Sequence, residues 1–322
     1  MALFKRKSQI DDDLGFGTQP VSANQRLMNA DGSSNVRRTG LPIFRSADTY
    51  NWLISMSWKK FLFIILLAYL IVNTLFATLY VSIGIEHLKG ADGLSPRDHF
   101  FDAFFFSAQT ISTVGYGHIS PDGFATSCLA AFESMLGLLA FALATGLLYG
   151  RFSRPTAKVV YSPNMVITPY KGIKGLMFRL ANLRNNQLIE IEVQVVMSYN
   201  ELVDGKKIRR FYPLDLERSK IGLLSLSWTV VHPIDEHSPI FEKTAEDLAD
   251  AEVEILVLLK AFDDTFSQTV HTRTSYRDED IIHNAKFSSI FSRDNSGRTT
   301  LDLSRIGNTE MVTDAQPISS SV

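Results

Sequence analysis

The 322-residue sequence predicts a fold in two parts: an α-helical membrane domain with two spans, followed by an all-β sandwich domain. Two long apolar segments are free, or almost free, of charged residues, and a shorter apolar segment lies between them. After Pro155 the chain instead forms short runs rich in β-branched and aromatic residues, separated by Gly, Pro, Asn and Asp. Such a series of strands without long intervening helices predicts an antiparallel sandwich.

Composition excludes several classes of protein. The chain has 32 Lys+Arg and 34 Asp+Glu, so its net charge of −2 gives no reason to expect a nucleic-acid partner. Hydrophobic residues make up 45% of the chain, which allows a sizeable core and argues against a disordered protein. The single cysteine, Cys128, excludes a disulfide framework and a cysteine-based zinc site. The sequence has no glycine-rich dinucleotide fingerprint, and we expect neither a cofactor nor enzymatic activity.

The N-terminal region precedes the first span. Residues 1–43 are polar and rich in Ser, Asn, Asp and Gly, which predicts a disordered cytoplasmic tail. No apolar run follows the basic residues near the start, so a signal peptide is not predicted. In residues 44–59, Trp52 and Met56 fall at helical spacing, which favours a short amphipathic helix at the membrane interface.

Two segments are long and apolar enough to cross a membrane. Residues 61–85 contain no charge, and residues 124–150 contain one ionisable residue, Glu133, which is expected to face the protein interior. Basic residues flank the outer ends of this pair, so both termini are predicted to be cytoplasmic. Between the spans, the apolar part of residues 98–117 is too short to cross and suits a half-helix that enters and returns.

A glycine-bearing loop follows this half-helix. Backbone carbonyls can replace the hydration shell of K⁺, and Gly115 and Gly117 permit the unusual backbone angles that align them. The negative end of the half-helix dipole would also favour a cation. The sequence therefore predicts stacked rings of K⁺ sites when four identical copies meet on an axis, with K⁺ as the permeant ion. The predicted filter residues are Thr113, Val114, Gly115, Tyr116 and Gly117, and the first four supply the carbonyls.

Four separated motifs add a family resemblance. They read GLLYGRFSRP, FRLANLRNNQLIE, SWTVVHPIDEHSPI and RTSYRDEDI. With the filter, they make residues 44–300 similar to the inward-rectifier potassium channels, most closely the prokaryotic branch. The resemblance implies a homotetramer, a slide helix over residues 44–59, an immunoglobulin-like cytoplasmic sandwich over 154–305 that extends the pore, and a loose tail over 306–322. It also implies inward rectification, and on that basis we expect the chain to group with voltage-gated channels.

The resemblance also suggests roles for residues around the pore. Gln109 stands behind the filter where many members have Glu, so neutral hydrogen bonds are expected to support the loop. Gly137 matches the hinge glycine of the family, although a close-packing role is an equal alternative. Phe141 and Tyr149 lie eight residues apart, close to one helix face, and would narrow the inner mouth as a hydrophobic gate; without the resemblance, lipid-facing aromatics are the alternative.

Charged residues suggest two further partners. A basic cluster lies where the spans meet the cytoplasmic headgroups, which fits either plain topology or a site for phosphoinositides or other anionic lipids. This cluster is Lys59, Lys60, Arg151 and Arg154. Acidic residues matching the cytoplasmic vestibule of the family would concentrate Mg²⁺ or polyamine blockers, and the alternative is that they are ordinary solvated surface charges. These acids are Glu190 and either Asp263 or Asp264.

The sequence also allows a metal site and two other classes of membrane protein. His232, Asp235, Glu236 and His237 have the side chains of a metal site, but no helix aligns them and the resemblance gives this segment as a structural loop. A two-span potassium channel with a differently gated, ligand-binding cytoplasmic domain would need a nucleotide or calcium motif after Pro155, and none is seen. A membrane-anchored sandwich that only binds partners has no use for the filter sequence.

Overall fold

The structure, a computed structural model, divides into two compact units. The helical unit comprises residues 40–154, and the sandwich unit comprises residues 1–39 and 155–322. The structure describes residues 26–33, 35, 46–153, 157–293 and 299–312.

The described part of the helical unit contains four α-helices and one short antiparallel pair of strands, whose two members lie on either side of the third helix in the chain. The elements are α1 (Ser46–Ser55), α2 (Trp58–Ile83), β1 (Leu88–Lys89), α3 (Pro96–Ile111), β2 (Ser120–Pro121) and α4 (Phe124–Phe152). Helices α2 and α4 are long and apolar enough to cross a membrane. The shorter α3 lies between them in the chain, as the apolar pattern predicts.

Local signals set the ends of these helices. Gly84 ends α2 with a φ of 128°, a backbone angle that other residues rarely adopt. At the start of α3, the Ser95 hydroxyl accepts a hydrogen bond from the amide of Asp98, and Pro96 occupies the first helical position, where its missing N–H has no consequence.

The three longer helices pack through a small aromatic cluster. Tyr80 of α2 and Phe106 of α3 are buried with their ring centres 5.1 Å apart, and the small residues Ala77 and Ala103 let the two helices approach closely. Elsewhere α2 and α4 expose their apolar side chains, since only 17% of the most hydrophobic window of each is buried within the chain. Apolar faces of that extent require lipid or other subunits to cover them.

The sandwich unit is built from two five-stranded sheets. The first has the order β11-β10-β6-β7 with β8 also beside β6, and the second has β12-β4-β5-β3 with β9 also beside β5. The strands are β3 (Val159–Tyr161), β4 (Met165–Tyr170), β5 (Ile173–Asn182), β6 (Leu188–Val203), β7 (Lys206–Pro213), β8 (Lys220–Leu224), β9 (Ser227–Ile234), β10 (Glu254–Asp263), β11 (Gln268–Arg277) and β12 (Ile281–His283). A short helix, α5 (Ala245–Asp250), precedes β10. One continuous apolar core lies between the sheets.

Residues 26–33 correct the expectation of a disordered tail over residues 1–43. The amides of Leu27 and Met28 donate hydrogen bonds of 2.8 and 3.2 Å to the Glu254 carboxylate of β10. Both side chains are buried against the first sheet, at 7% and 6% exposure. The polar composition of residues 1–43 predicts disorder for the whole range, and the two apolar residues that anchor this segment to the sheet are too few to change that average. Apart from residue 35, the rest of that range lies outside the described residues.

The C-terminal end of the described chain is also better ordered than expected. Two pairs of short strands follow β12: β13 (Ala285–Phe287) with β16 (Thr309–Met311), and β14 (Phe291–Arg293) with β15 (Thr299–Leu301). Ile306 is buried, at 5% exposure. The prediction of a loose tail over residues 306–322 is therefore wrong for 306–312, and the remainder lies outside the described residues.

Candidate functional site

The loop after α3 alternates between two kinds of backbone conformation. Thr113, Gly115 and Gly117 have φ values of 58°, 54° and 79°, in the left-handed region, whereas Val114 and Tyr116 between them do not. Alternation of this kind turns successive carbonyls toward one side of the loop instead of opposite sides. A non-glycine residue such as Thr113 holds a positive φ only where its surroundings impose it, which is typical of functional loops.

Main-chain hydrogen bonds tie this loop to the end of α3. The carbonyl of Gln109 accepts from the amides of Val114 and Gly115 at 3.0 and 3.3 Å, and the carbonyl of Thr110 accepts from Thr113 at 3.1 Å. Gln109 thus contacts the loop through its backbone. A Cβ added at Gly115 would find no atom of its own chain within 4 Å, so backbone angle, not space, restricts that position.

Gly137 of α4 is buried against the C-terminal end of α3. A Cβ at this position would lie 2.2 Å from the carbonyl oxygen of Ile111. The geometry accounts for the glycine by close packing, the alternative that the sequence left open beside the hinge. Phe141 and Tyr149, further along α4, are each 73% exposed within the chain. Their predicted role as a gate stays a prediction.

The charged side chain of Arg151, at the end of α4, contacts main-chain carbonyls and aromatic rings of the helical unit. Its two terminal nitrogens donate hydrogen bonds to the carbonyls of Leu53 and Met56 at 2.6 and 2.7 Å. Its guanidinium also lies 4.6 and 4.4 Å from the ring centres of Trp58 and Phe61. A cation here satisfies free carbonyls at the end of α1. The role of Arg151 in lipid binding stays a prediction: its two terminal nitrogens already donate to main-chain carbonyls, whereas Nε has no hydrogen-bond partner in the chain.

The two lysines of the basic cluster differ from Arg151 in exposure. Lys59 and Lys60, in the first turn of α2, are exposed and free to meet headgroups. Arg154 lies outside the described residues.

The vestibule acids separate into two kinds. Glu190 is exposed with a φ of 50°, at the point where the pairing of β6 with β10 shifts register opposite Ala261. Asp264 is exposed as well. Asp263 is only 1% exposed. The prediction that Asp263 faces a cytoplasmic passage is therefore wrong.

Asp263 instead stabilises the turn between β10 and β11. Its carboxylate accepts a hydrogen bond of 2.8 Å from the Asn186 side chain and one of 3.0 Å from the Thr265 amide. A buried carboxylate with these partners is a structural residue.

The segment with metal-like side chains holds a structural histidine. His232 is 4% exposed, and one ring nitrogen lies 2.6 Å from the carbonyl oxygen of Asp215, which can only accept. In a neutral ring the other nitrogen then accepts from the Ser238 hydroxyl at 2.8 Å. Burial lowers the pKa of His232, which favours the neutral ring. The described residues contain no group of side chains that could hold a metal ion.

Sequence reasoning placed Glu133 in the interior but missed its partners. The three longer helices each contribute to one buried polar cluster, which is Asn73 and Tyr80 of α2, Ser107 of α3 and Glu133 of α4. Their spacing in the sequence carries no common pattern, so only the packing of the helices brings them together.

Comparison with known proteins supplies the family. Residues 159–321 match the family described as "Inward rectifier potassium channel C-terminal domain", and residues 64–154 match "Ion channel". The chain is 42% identical over 293 residues to "Inward rectifier potassium channel Kirbac3.1" of Paramagnetospirillum magnetotacticum, covering 90% of this chain and 97% of that protein. The chain belongs to the inward rectifier potassium channel family.

More distant relatives agree with this assignment. "G protein-activated inward rectifier potassium channel 1" of Bos taurus and of Homo sapiens are each 26% identical over 301 residues. The match covers 85% of this chain and 59% of each of those proteins.

Several sequence-based predictions are confirmed by these matches. The chain is a membrane protein and a potassium channel, not an enzyme, and its fold is a two-span pore domain with a cytoplasmic β-sandwich. Channels of this family are oligomeric. The cytoplasmic domain matches that of the inward rectifiers. The grouping with voltage-gated channels is wrong, because it does not fit this family.

Proposed function

We propose that four copies of this chain conduct K⁺ passively through a filter formed by the loop from Thr113 to Gly117. The observation that carries this proposal is the alternation of left-handed φ angles at Thr113, Gly115 and Gly117. Carbonyls aligned in this way can replace the water around a dehydrated K⁺ ion. The loop is tied to the C-terminal end of α3, whose partial negative charge favours a cation.

The remaining parts of the proposal concern control of the pore. We infer a hydrophobic gate from Phe141 and Tyr149, whose large exposed side chains lie on the inner half of α4. Lys59 and Lys60 would sense anionic lipid, and Glu190 with Asp264 would concentrate Mg²⁺ or polyamines. The channel would lie in a cell inner membrane with both termini in the cytoplasm, as the basic flanks favour.

Rubidium uptake into liposomes containing the purified protein tests the filter. Gly115→Ala and Gly117→Ala should each lower uptake about tenfold or more, because a methyl group opposes a left-handed φ at a cost of about 1–3 kcal/mol. Gly205→Ala is the matched control, since Gly205 has a φ of 77° in the hairpin between β6 and β7 and an added Cβ would meet open space.

The controls make the result specific to conduction. All three variants should remain tetrameric by chemical cross-linking, and Gly205→Ala should keep normal uptake. Barium, doubly charged and similar in size to K⁺, should block the unmodified channel. Normal uptake by Gly115→Ala or Gly117→Ala would contradict the filter assignment.

A further inference from the structure

The buried polar cluster joins three helices through a chain of hydrogen bonds. The Tyr80 hydroxyl donates to one carboxyl oxygen of Glu133 at 2.7 Å. The other carboxyl oxygen lies 2.5 Å from the Ser107 hydroxyl, which lies 3.0 Å from the side-chain oxygen of Asn73. Glu133, Ser107 and Asn73 are all 0% exposed, so water cannot complete this chain.

The number of hydrogens in the cluster fixes the charge of Glu133. The Asn73 amide nitrogen donates to the carbonyl of Tyr69 at 2.7 Å, which turns its oxygen toward Ser107. Ser107 must then donate its one hydrogen to Asn73. The contact between Ser107 and Glu133 is therefore a hydrogen bond only if the Glu133 carboxyl group is protonated and donates its hydrogen to the Ser107 oxygen. Three contacts between oxygens need three hydrogens, and the two hydroxyl groups supply two.

The surroundings also disfavour a charge at this position. Of the described residues, Tyr80 from α2 is the one titratable group in contact with Glu133, and Ser107 from α3 is uncharged. No described Lys, Arg or His forms an ion pair with it. The neighbouring cluster is apolar and aromatic, including Phe76 and Phe106. A carboxylate without a cation in such an environment is costly, whereas a neutral, fully bonded acid is not.

We propose that Glu133 is a protonated, neutral acid, and that its hydrogen bond to Ser107 holds α3 in position next to the filter loop. Ser107 lies two residues before Gln109, whose carbonyl holds the amides of Val114 and Gly115. Glu133 thus fixes the helix on which the loop depends, without touching the ion. It is a positioning residue, and this inference rests on the proposed filter.

Infrared spectroscopy of the whole channel in lipid tests the proton directly. The difference between the unmodified protein and Glu133→Gln at neutral pH should contain the C=O stretching band of a protonated carboxyl group, with a shift in heavy water. Absence of that band would overturn the proposal, and this result does not depend on whether the protein conducts.

Rubidium uptake tests the positioning role. Glu133→Gln keeps one donor and one acceptor in place, so it should restore uptake to within about twofold of the unmodified channel. Glu133→Ala leaves buried hydroxyl groups without partners and should lower uptake or K⁺ selectivity roughly tenfold. Ser134→Ala, at the exposed next position of α4, is the control and should change nothing.

The pH profile separates this role from a merely structural one. Only the unmodified channel carries a titratable group at position 133, so its uptake should change with pH in a way that uptake by Glu133→Gln does not. Equal loss in Glu133→Gln and Glu133→Ala, or identical pH profiles for Glu133→Gln and the unmodified channel, would overturn the proposal. A lack of K⁺ uptake by the unmodified protein would instead count against the proposed function.

Discussion

Arg151 illustrates how the environment of one side chain decides its role. Its position after the second span fits both a topology signal and a lipid site. The structure instead directs its nitrogens to the carbonyls of Leu53 and Met56 and stacks it against Trp58. Two parallel hydrogen bonds and ring stacking suit the planar guanidinium and not an ammonium group.

Charge and geometry at this position can therefore be separated by mutation. Arg151→Lys keeps the charge but loses the paired bonds, so it should destabilise the protein by about 1–3 kcal/mol, as should Arg151→Gln. The melting temperature of the purified channel measures this loss. In contrast, the response of rubidium uptake to anionic lipid should be blunted by Lys59→Gln with Lys60→Gln and should be unchanged in Arg151→Lys. A blunted lipid response in Arg151→Lys would contradict the structural role.

At the scale of elements, the contact of α4 with the end of α3 depends on one missing methyl group. Because a Cβ at Gly137 would lie 2.2 Å from the Ile111 carbonyl oxygen, Gly137→Ala should push the two helices apart next to the filter loop. We expect a loss of about 1–3 kcal/mol in stability and reduced rubidium uptake. Gly146→Ala is the matched control on the same helix, where nothing of the chain lies within 4 Å. Equal effects of the two substitutions on melting temperature would show that the close contact is unimportant.

Sequence alone was sufficient for the elements that local pattern determines. The spans follow from length and absence of charge, and the filter loop follows from its glycines. The predicted antiparallel pairing does not extend to β4, which contains Pro169 and pairs in parallel with the distant β12. Sequence reasoning also failed for Leu27 and Met28, whose partner Glu254 lies more than two hundred residues away.

The same limit applies within the candidate site. Asp263 and Asp264 are adjacent and chemically identical, so composition cannot say which is buried. The turn after β10 determines which of the two is buried, because it brings the Thr265 amide and the Asn186 side chain to the carboxylate of Asp263. The Glu133 cluster likewise arises from three separate helices, and no sequence spacing identifies its members.

At the scale of the whole molecule, one chain does not complete the pore. The large apolar residues of α4, including Phe141, Leu143 and Tyr149, are 70–73% exposed. In the proposed filter, the carbonyls of one loop would supply only one side of an ion site. Both features are satisfied when identical subunits surround an axis, which agrees with the oligomeric character of the family. The tetramer remains part of the proposal.

Rectification tests the two units of the molecule separately. Strong block by internal Mg²⁺ or spermine requires a carboxylate in the membrane cavity, because a multivalent cation in a low-dielectric region is costly without a counter-charge. The family resemblance, aligned on Gly137 and Arg151, implies that Phe141 stands where strong rectifiers carry this acidic residue, so we expect the unmodified channel to show only weak, voltage-dependent block. Phe141→Asp should strengthen it by about tenfold in blocker concentration, as one added charge–charge interaction of about 1.4 kcal/mol would.

The remaining weak block should depend on the sandwich unit. Glu190→Gln and Asp264→Asn should each weaken it, because both acids are exposed, while Asp250→Asn, at an exposed position in α5, should leave it unchanged. Currents from channels in planar bilayers, recorded at several concentrations of internal spermine, measure both effects. Strong block of the unmodified channel would show that Phe141 does not occupy the cavity position. Block that is unaffected by Glu190→Gln and Asp264→Asn together would make these acids ordinary surface charges.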